Sequence, residues 1–274
     1  MNHKMKKGMA AALCFCMSLN LFACGGPKTP EEVLAATSEN MEELDSVAFD
    51  VDLTMEIGAD QLSFPITMNM EGRYTKEPQR MYSGLTMDLA LYELDMEMYA
   101  ETGEDKSTTY VGIDTGDGVE WGKDTMEVSE TSVEDVSAVL KTLKDVKEAE
   151  GTETIQDVEV SKYTGILTGE DFKKVAETFA PRGAEGTDEI FGDIKDDMEV
   201  PVTLYIDKKE CRVIKEVIDL TDAIKDTEES VKDLAGTLIS KLDLTVVFSQ
   251  FNEAEAIEIP KEALEAEEAD EEKE

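Results

Sequence analysis

Residues 47–100 alternate between apolar and polar side chains with little interruption. Val47, Phe49, Val51, Leu53, Met55 and Ile57 are apolar, while Ala48, Asp50, Asp52, Thr54 and Glu56 between them are acidic or small. Successive side chains of a strand point to opposite faces, so this pattern demands a strand with one oily face and one wet face. After Gly58-Ala59-Asp60 the alternation resumes with Leu62, Phe64, Ile66, Met68 and Met70, and it continues through Met81, Leu85, Met87, Leu89 and Leu91. Near Tyr92-Glu93 the parity flips, and Leu94, Met96, Met98 and Ala100 follow. A parity flip without a break is the mark of a tight hairpin. The expectation is an antiparallel meander with one buried, methionine-rich face. Pro65 falls on its outward side, which predicts an edge or a bulge there.

The first 23 residues have the composition of a targeting segment. A basic stretch with Lys4, Lys6 and Lys7 precedes an apolar run that is short for a membrane span. The run ends in Leu21-Phe22-Ala23-Cys24, followed by Gly25-Gly26. This resembles a bacterial lipobox, apart from Phe22, which stands where a small or β-branched residue is usual. The resemblance implies cleavage before Cys24 and transfer of a diacylglyceryl group to its sulfur; the alternative is a plain secretory signal with an incidental cysteine. Two acyl chains, at about 0.8 kcal/mol per buried methylene, hold a protein firmly on a membrane.

Removal of that segment decides much of the remaining chemistry. Cys14, Cys16 and the single histidine, His3, leave with it. With Cys24 lipidated, Cys211 is expected to be the sole thiol of the domain, as a buried small apolar residue or a free thiol. Neither a Ser-His-Asp nor a Cys-His arrangement is then available, and imidazole zinc sites are excluded. No metal site and no cofactor are predicted. The turn at Asp114 to Gly118 lacks the spacing of an EF-hand calcium loop. Without the leader's three lysines, 23 basic residues face 64 acidic ones. Such a surface repels nucleic acid and anionic lipid headgroups, so no nucleic-acid partner is expected.

The rest of the chain alternates between helical and strand periodicity. Thr29 is the predicted cap of a helix with Pro30 in its first turn and Val33, Leu34, Thr37, Met41 and Leu44 on its apolar face. Strands are expected over 108–113 and 119–123. A second helix would start at Thr131 or Ser132 and use Val133, Val136, Leu140, Leu143 and Val146. A single strand over 154–167 would follow, then a helix capped by Thr168 with Phe172, Val175, Ala176 and Phe179 on one face. Residues 181–197 form a glycine-rich acidic loop, long enough for a lid, with Ile190 and Phe191 as tip or anchor. A hairpin over 200–220 turns at Asp207-Lys208-Lys209-Glu210. A helix over 228–239 precedes a strand with Leu242, Leu244, Val246 and Phe248, and Ile257 and Ile259 mark the last strand. The predicted organisation is a signal peptide over 1–23, a lipidated tether over 24–29, one domain over 30–262 and an acidic disordered tail over 263–274.

Several local features occur in this order: Thr29-Pro30-Glu31-Glu32-Val33-Leu34 directly after the lipobox, Trp121-Gly122-Lys123, Tyr163-Thr164-Gly165-Ile166-Leu167 and Ile257-Glu258-Ile259-Pro260-Lys261-Glu262. Together with the architecture they resemble uncharacterised Gram-positive lipoproteins of the wider lipoprotein-carrier superfamily, typified by LolA and LolB and by mycobacterial LppX and LprG. The resemblance implies an α+β fold in which a strongly curved antiparallel sheet, an unclosed half-barrel, wraps over a few helices. It also implies an acyl-chain cavity between sheet and helices, and it brings no catalytic motif.

Ten of the 14 methionines follow the leader, and seven fall on the inward face of the meander. Methionine is flexible and polarizable, so it suits both gap-filling in a core and contact with variable apolar ligands. The candidate ligand-lining residues are Phe49, Val51, Leu53 and Met55 of the first strand and Phe64, Ile66, Met68 and Met70 of the second. Met81, Met87, Met96 and Met98 complete the set. The functional expectation is a membrane-anchored, non-enzymatic lipoprotein outside the cytoplasm that binds or carries a lipid or other apolar ligand. The alternative is a cell-envelope interaction or structural module with an envelope protein as partner and no small-molecule ligand.

Overall fold

The computed structural model describes residues 29–59, 62–88, 93–114, 116, 118–127, 138–179, 195–222 and 238–268. The predicted signal segment with Cys24, the predicted lid loop up to residue 194, the expected start of the second helix at Thr131 or Ser132 with Val133 and Val136, and nearly all of the helix expected over 228–239 lie outside these residues.

Eleven antiparallel strands form one unclosed sheet. Six make a meander from the long alternating segment and its continuation: β1 (Ser46–Ala59), β2 (Leu62–Lys76), β3 (Gln79–Asp88), β4 (Glu93–Thr102), β5 (Lys106–Asp114) and β6 (Val119–Glu127). Four make a second meander: β7 (Lys144–Ile155), β8 (Val158–Thr168), β9 (Glu199–Asp207) and β10 (Arg212–Asp219). The last strand, β11 (Leu238–Ser249), lies between β1 and β10 and joins the two. The predicted curved half-barrel is the fold found. The parity flip before Leu94 is the β3–β4 hairpin, in which Asp88 faces Glu93. A second reversal, at Glu77-Pro78, separates β2 from β3. Pro65 pairs with Glu56 in an unbroken β1–β2 register, so the bulge expected there is not found, and the described β2–β3 pairing begins only at Met68.

Among the described residues three helices lie against one face of the sheet: α1 (Pro30–Glu42), α2 (Ala138–Thr142) and α3 (Gly169–Phe179). Thr29 and Glu32 form a reciprocal capping box at the start of α1, each side chain accepting from the other's backbone N–H, so two otherwise unpaired donors are satisfied. Val33, Leu34, Thr37, Ser38 and Met41 are the buried face of α1. It packs on α2, β10 and β7, while α3 packs on β8 and β9. Thr168 caps α3, its hydroxyl accepting from the Asp171 N–H at 3.2 Å and donating to the Asp171 carboxylate at 2.6 Å.

Five expectations need correction. The second helix is expected to reach Val146, but residues 144–155 are the edge strand β7, so Val146 is a strand residue. Its sequence hides this because β7 is held by backbone pairing to β8, carries two register breaks and leaves most of its charged side chains exposed. The single strand expected over 154–167 is a hairpin whose turn, Gln156-Asp157, has φ of 50° and 64° without a glycine to announce it. Leu238 and Ile239 belong to β11, opposite Gly58 and Ile57. Finally, Ile257 and Ile259 form no strand. They lie on an extended strap that leads into a short helix, α4 (Lys261–Leu264), and Glu268 makes a parallel bridge with Lys123. The tail expected to be disordered from residue 263 is thus ordered through residue 268.

The strap packs against a second apolar cluster. Tyr82, Tyr99 and Tyr110 stand opposite one another across β3, β4 and β5, and Trp121 stands opposite Gly112. Their rings join Ile257, Ile259 and Ala263. Register places this ladder on the face opposite the helices, because Met81, Met98 and Val111 alternate with it. Burial, followed by the nearby Glu97 carboxylate, pushes the Tyr99 phenol up to about 12. Arg80 ties the strap down, donating to the Ile257 carbonyl at 2.9 Å and to the Glu101 carboxylate at 2.7 Å. Arg80→Ala should cost about 1–2 kcal/mol, since both bonds are charge-assisted. Trp121 is the chain's only tryptophan. Its fluorescence should shift to the red in that variant; an unchanged spectrum would show that the strap does not need Arg80.

Candidate ligand-binding face of the sheet

The register places all twelve candidate residues on the face that carries the helices. Phe49, Val51, Leu53 and Met55 of β1 stand opposite Gly72, Met70, Met68 and Ile66 of β2. Phe64 faces Ile57, and Met87 faces Met68 across the β2–β3 ladder. Met81 faces Tyr74 and Ala100, and Met96 and Met98 face Leu85 and Ser83. For Phe64, Ile66 and Met87 only the strand position is described. The two ends of the face are packed differently.

One row of directly opposed residues crosses nearly the whole sheet and makes the difference plain. It runs Tyr163, Leu204, Glu216, Val246, Val51, Met70, Leu85, Met96 and Ile113, from β8 to β5. Tyr163 and Leu204 are fully buried, at 0% exposure. From Val246 to Met96 every member is only partly buried, and Ile113 at the end is 37% exposed. The sealed end lies where α1 and α3 rest on β8, β9 and β10. There Val200, Val202, Leu204 and Ile206 of β9 fill the core with Phe172, Leu34 and Val33. The other end presents Met70, Leu85 and Met96 in sequence, and the adjacent row on the same face runs Phe49, Gly72, Ser83 and Met98. Methionines in this half pack at the margin of the core; Met55, Met70 and Met81 are partly buried against it.

Glu216 stands where the sealed half meets the open half. It is 6% exposed, and its Oε1 has no hydrogen-bond partner among the described residues. Its row neighbours are Leu204 and Val246, and the inward side chains beside it on β9, β10 and β11 include Val202, Ile206, Ile218 and Leu244. Burial alone pushes its carboxyl up to about 7. A second buried oxygen without a partner, Thr37 Oγ1, lies on α1, the helix that packs on β10. The sequence reading missed Glu216. In Arg212-Val213-Ile214-Lys215-Glu216-Val217 it resembles an outward-facing charge, and the register break between Val213 and Lys215 is what turns it inward. A clue was present in Glu216-Val217-Ile218, where the inward residue Ile218 lies two positions on.

Tyr163, at the sealed end of this row, is its other titratable member, and burial raises its phenol. Lys208 reaches over the Tyr163 ring at 5.7 Å from its centroid and pairs with Glu148. Of the two expectations for Cys211, a buried apolar residue or a free thiol, the structure gives the free thiol. It sits half-exposed in the β9–β10 turn with φ of 48°, and partial burial, with Asp207 and Glu210 nearby, raises its thiol. Among the described residues no group of three His, Cys, Asp or Glu side chains is placed to hold a metal ion, and no helix is long and apolar enough to cross a membrane.

A family model described as "Family of unknown function (DUF6612)" matches residues 29–268. Among solved structures, the lipoprotein LppX of Mycobacterium tuberculosis aligns at 17% identity, covering 82% of this chain and 98% of that one, with a TM-score of 0.47. LprF from Mycobacterium bovis aligns at 14% identity over 87% and 100% of the two chains, with a TM-score of 0.48. A LolA superfamily protein from Nitrosomonas europaea aligns at 11% identity over 84% and 96%, with a TM-score of 0.24. These neighbours fall in the group that the sequence resembles. No curated protein matches the chain.

Proposed function

The chain belongs to this family of unknown function, and we propose that it is an extracytoplasmic lipoprotein, anchored through Cys24, that holds an apolar ligand against the open half of its inner sheet face. The observation that carries this reading is the row from Val246 to Ile113, in which apolar side chains on a helix-bearing face stay partly exposed. A core that served only stability would seal this row as it seals Leu204 and Tyr163, because each exposed apolar area forgoes roughly 25 cal/mol per Å². The row is also long enough. From Glu216 to Met96 it spans five strand spacings of about 4.8 Å, roughly 24 Å, while one leaflet of a bilayer gives an acyl chain roughly 15 Å. Methionine at Met70 and Met96 suits a ligand of variable shape. The proposed role is binding, and the one histidine lies in the leader.

Native mass spectrometry of the full chain extracted from membranes is the test. The expected spectrum contains one lipid-sized adduct beyond the mass of the lipidated protein. A bare protein in repeated preparations, with no uptake of added single-chain amphiphiles, would overturn the reading in favour of an envelope interaction module. In the same preparation Cys24→Ala should move the protein from the membrane to the soluble fraction.

A further inference from the structure

Glu216 serves neither the packing of the sheet nor any described ion pair, and burying it there is costly. It is more than nine-tenths buried, its Oε1 lacks a partner, and it stands at the inner end of the partly exposed apolar row. We propose that Glu216 is the polar end of the ligand site and pairs with a protonated amine at the head of a single-chain amphiphile whose tail lies along Val246, Val51, Met70, Leu85 and Met96. The inference rests on the apolar-ligand reading above and names the class of ligand.

The argument is one of charge complementarity. Among the described residues no charged side chain faces Glu216 from the elements around it, and the nearest titratable group of its row is the Tyr163 phenol, one strand beyond Leu204. Residues of β9 and β11 on this face are Val202, Leu204, Ile206, Leu242, Leu244, Val246 and Phe248, and the inward residues of α1 are Val33, Leu34, Thr37, Ser38 and Met41. An isolated carboxylate in such surroundings has lost its water without gaining a counter-charge. A cation that arrives there meets a group whose desolvation the fold has already taken on, which makes the pairing favourable. A fatty acid meets like charge and is disfavoured, and an alcohol offers only one hydrogen bond. The formal net charge of −38 acts in the same direction, since a field of that sign concentrates cationic amphiphiles at the surface. Thr37 Oγ1, one of the buried oxygens without a partner and carried by the helix that packs on β10, supplies an acceptor for a second amine hydrogen if the head settles between α1 and β10.

Equilibrium binding of dodecylamine, dodecanol and dodecanoate to the full chain tests this. At pH 8 dodecylamine should bind at least tenfold more tightly than dodecanol, and dodecanoate should bind least. Lowering the pH to 5 should remove the amine's advantage and leave dodecanol unchanged, because Glu216 gains its proton while the amine keeps its own. Glu216→Gln should erase the preference and retain dodecanol binding, since it preserves shape and removes charge. Equal binding of amine and alcohol by the unaltered protein, or a preference that survives in Glu216→Gln, overturns this inference and leaves the apolar-ligand reading standing. Failure of all three chains to bind overturns both. The comparison of head groups on the unaltered protein decides the matter even if the variant does not fold.

Discussion

Glu216→Met is expected to stabilise the protein by about 3 kcal/mol at pH 8 and by much less at pH 4. The carboxyl rises from an ordinary 4.5 to about 7 on folding, by burial alone. Each unit is worth about 1.4 kcal/mol. The sign follows from proton counting. Between pH 4.5 and 7 the folded chain holds the proton while the unfolded chain has released it, so stability falls as the pH rises through that window. Above pH 7 the folded protein carries the full cost of a buried, unpaired carboxylate. Methionine has a similar unbranched shape and no charge, and replacing a buried ionic group by an apolar one of similar volume often stabilises. Urea denaturation of both proteins at each pH checks the difference directly, and the general repulsion among surface acids cancels in the comparison. A stability difference that does not change between pH 4 and pH 8 would show that Glu216 is hydrated or paired in solution. The same substitution should abolish the amine preference, so a site that costs stability and confers selectivity would be seen in one variant.

Gly72→Ala is the second large effect, in the opposite direction. The Phe49 ring lies across Gly72 on the neighbouring strand, and a Cβ built there would come within 2.2 Å of two of its carbons. The ring is 6% exposed and stands opposite Phe248 on its other side. A ring so held yields less readily than a flexible chain end, so the sheet must shift or the ring must leave. Overpacking of this kind costs typically about 1–3 kcal/mol, and the upper end is expected here because β1 pairs on both sides at this point. Phe49→Ala alone should cost about 3–5 kcal/mol. In the double variant the penalty at Gly72 should vanish, because the two residues interact directly. Additive losses would mean that the alanine is accommodated elsewhere. The pair also bears on shape: a glycine beneath an aromatic ring lets the strands coil tightly, a device of curved sheets.

Much of the half-barrel is legible along the chain. The odd-numbered apolar residues from Val47 to Ile57, the even ones from Leu62 to Met70 and the flip before Leu94 specify the first four strands and the face each presents. This works because the side-chain period of a strand is two and a one-residue slip would put a whole set in water. The capping box of Thr29 and Glu32 is equally local, as is the cap at Thr168. β7 is not legible, because its partners are backbone groups and its charges are the protection of an edge. The strap with Ile257 and Ile259 reads as a strand because it alternates. It is not one, since what it covers is a ring cluster and not a neighbouring ladder.

The local pattern by itself determined which residues share the inner face of β1 to β4, because alternation depends only on the geometry of each strand. Tertiary structure decided what that face meets. The insertion of β11 between β1 and β10 sets Val246 beside Val51 and beside Glu216, a juxtaposition of residues nearly 200 positions apart that no local period encodes. The register break in β10 turned a charge inward, and the placement of α1 and α3 over β7 to β10 sealed one half of the face, while the row from Val246 to Met96 in the other half is only partly buried. Burial, and with it the carboxyl's affinity for its proton, is a property of the neighbours a residue acquires, and those neighbours come from the pairing of distant strands.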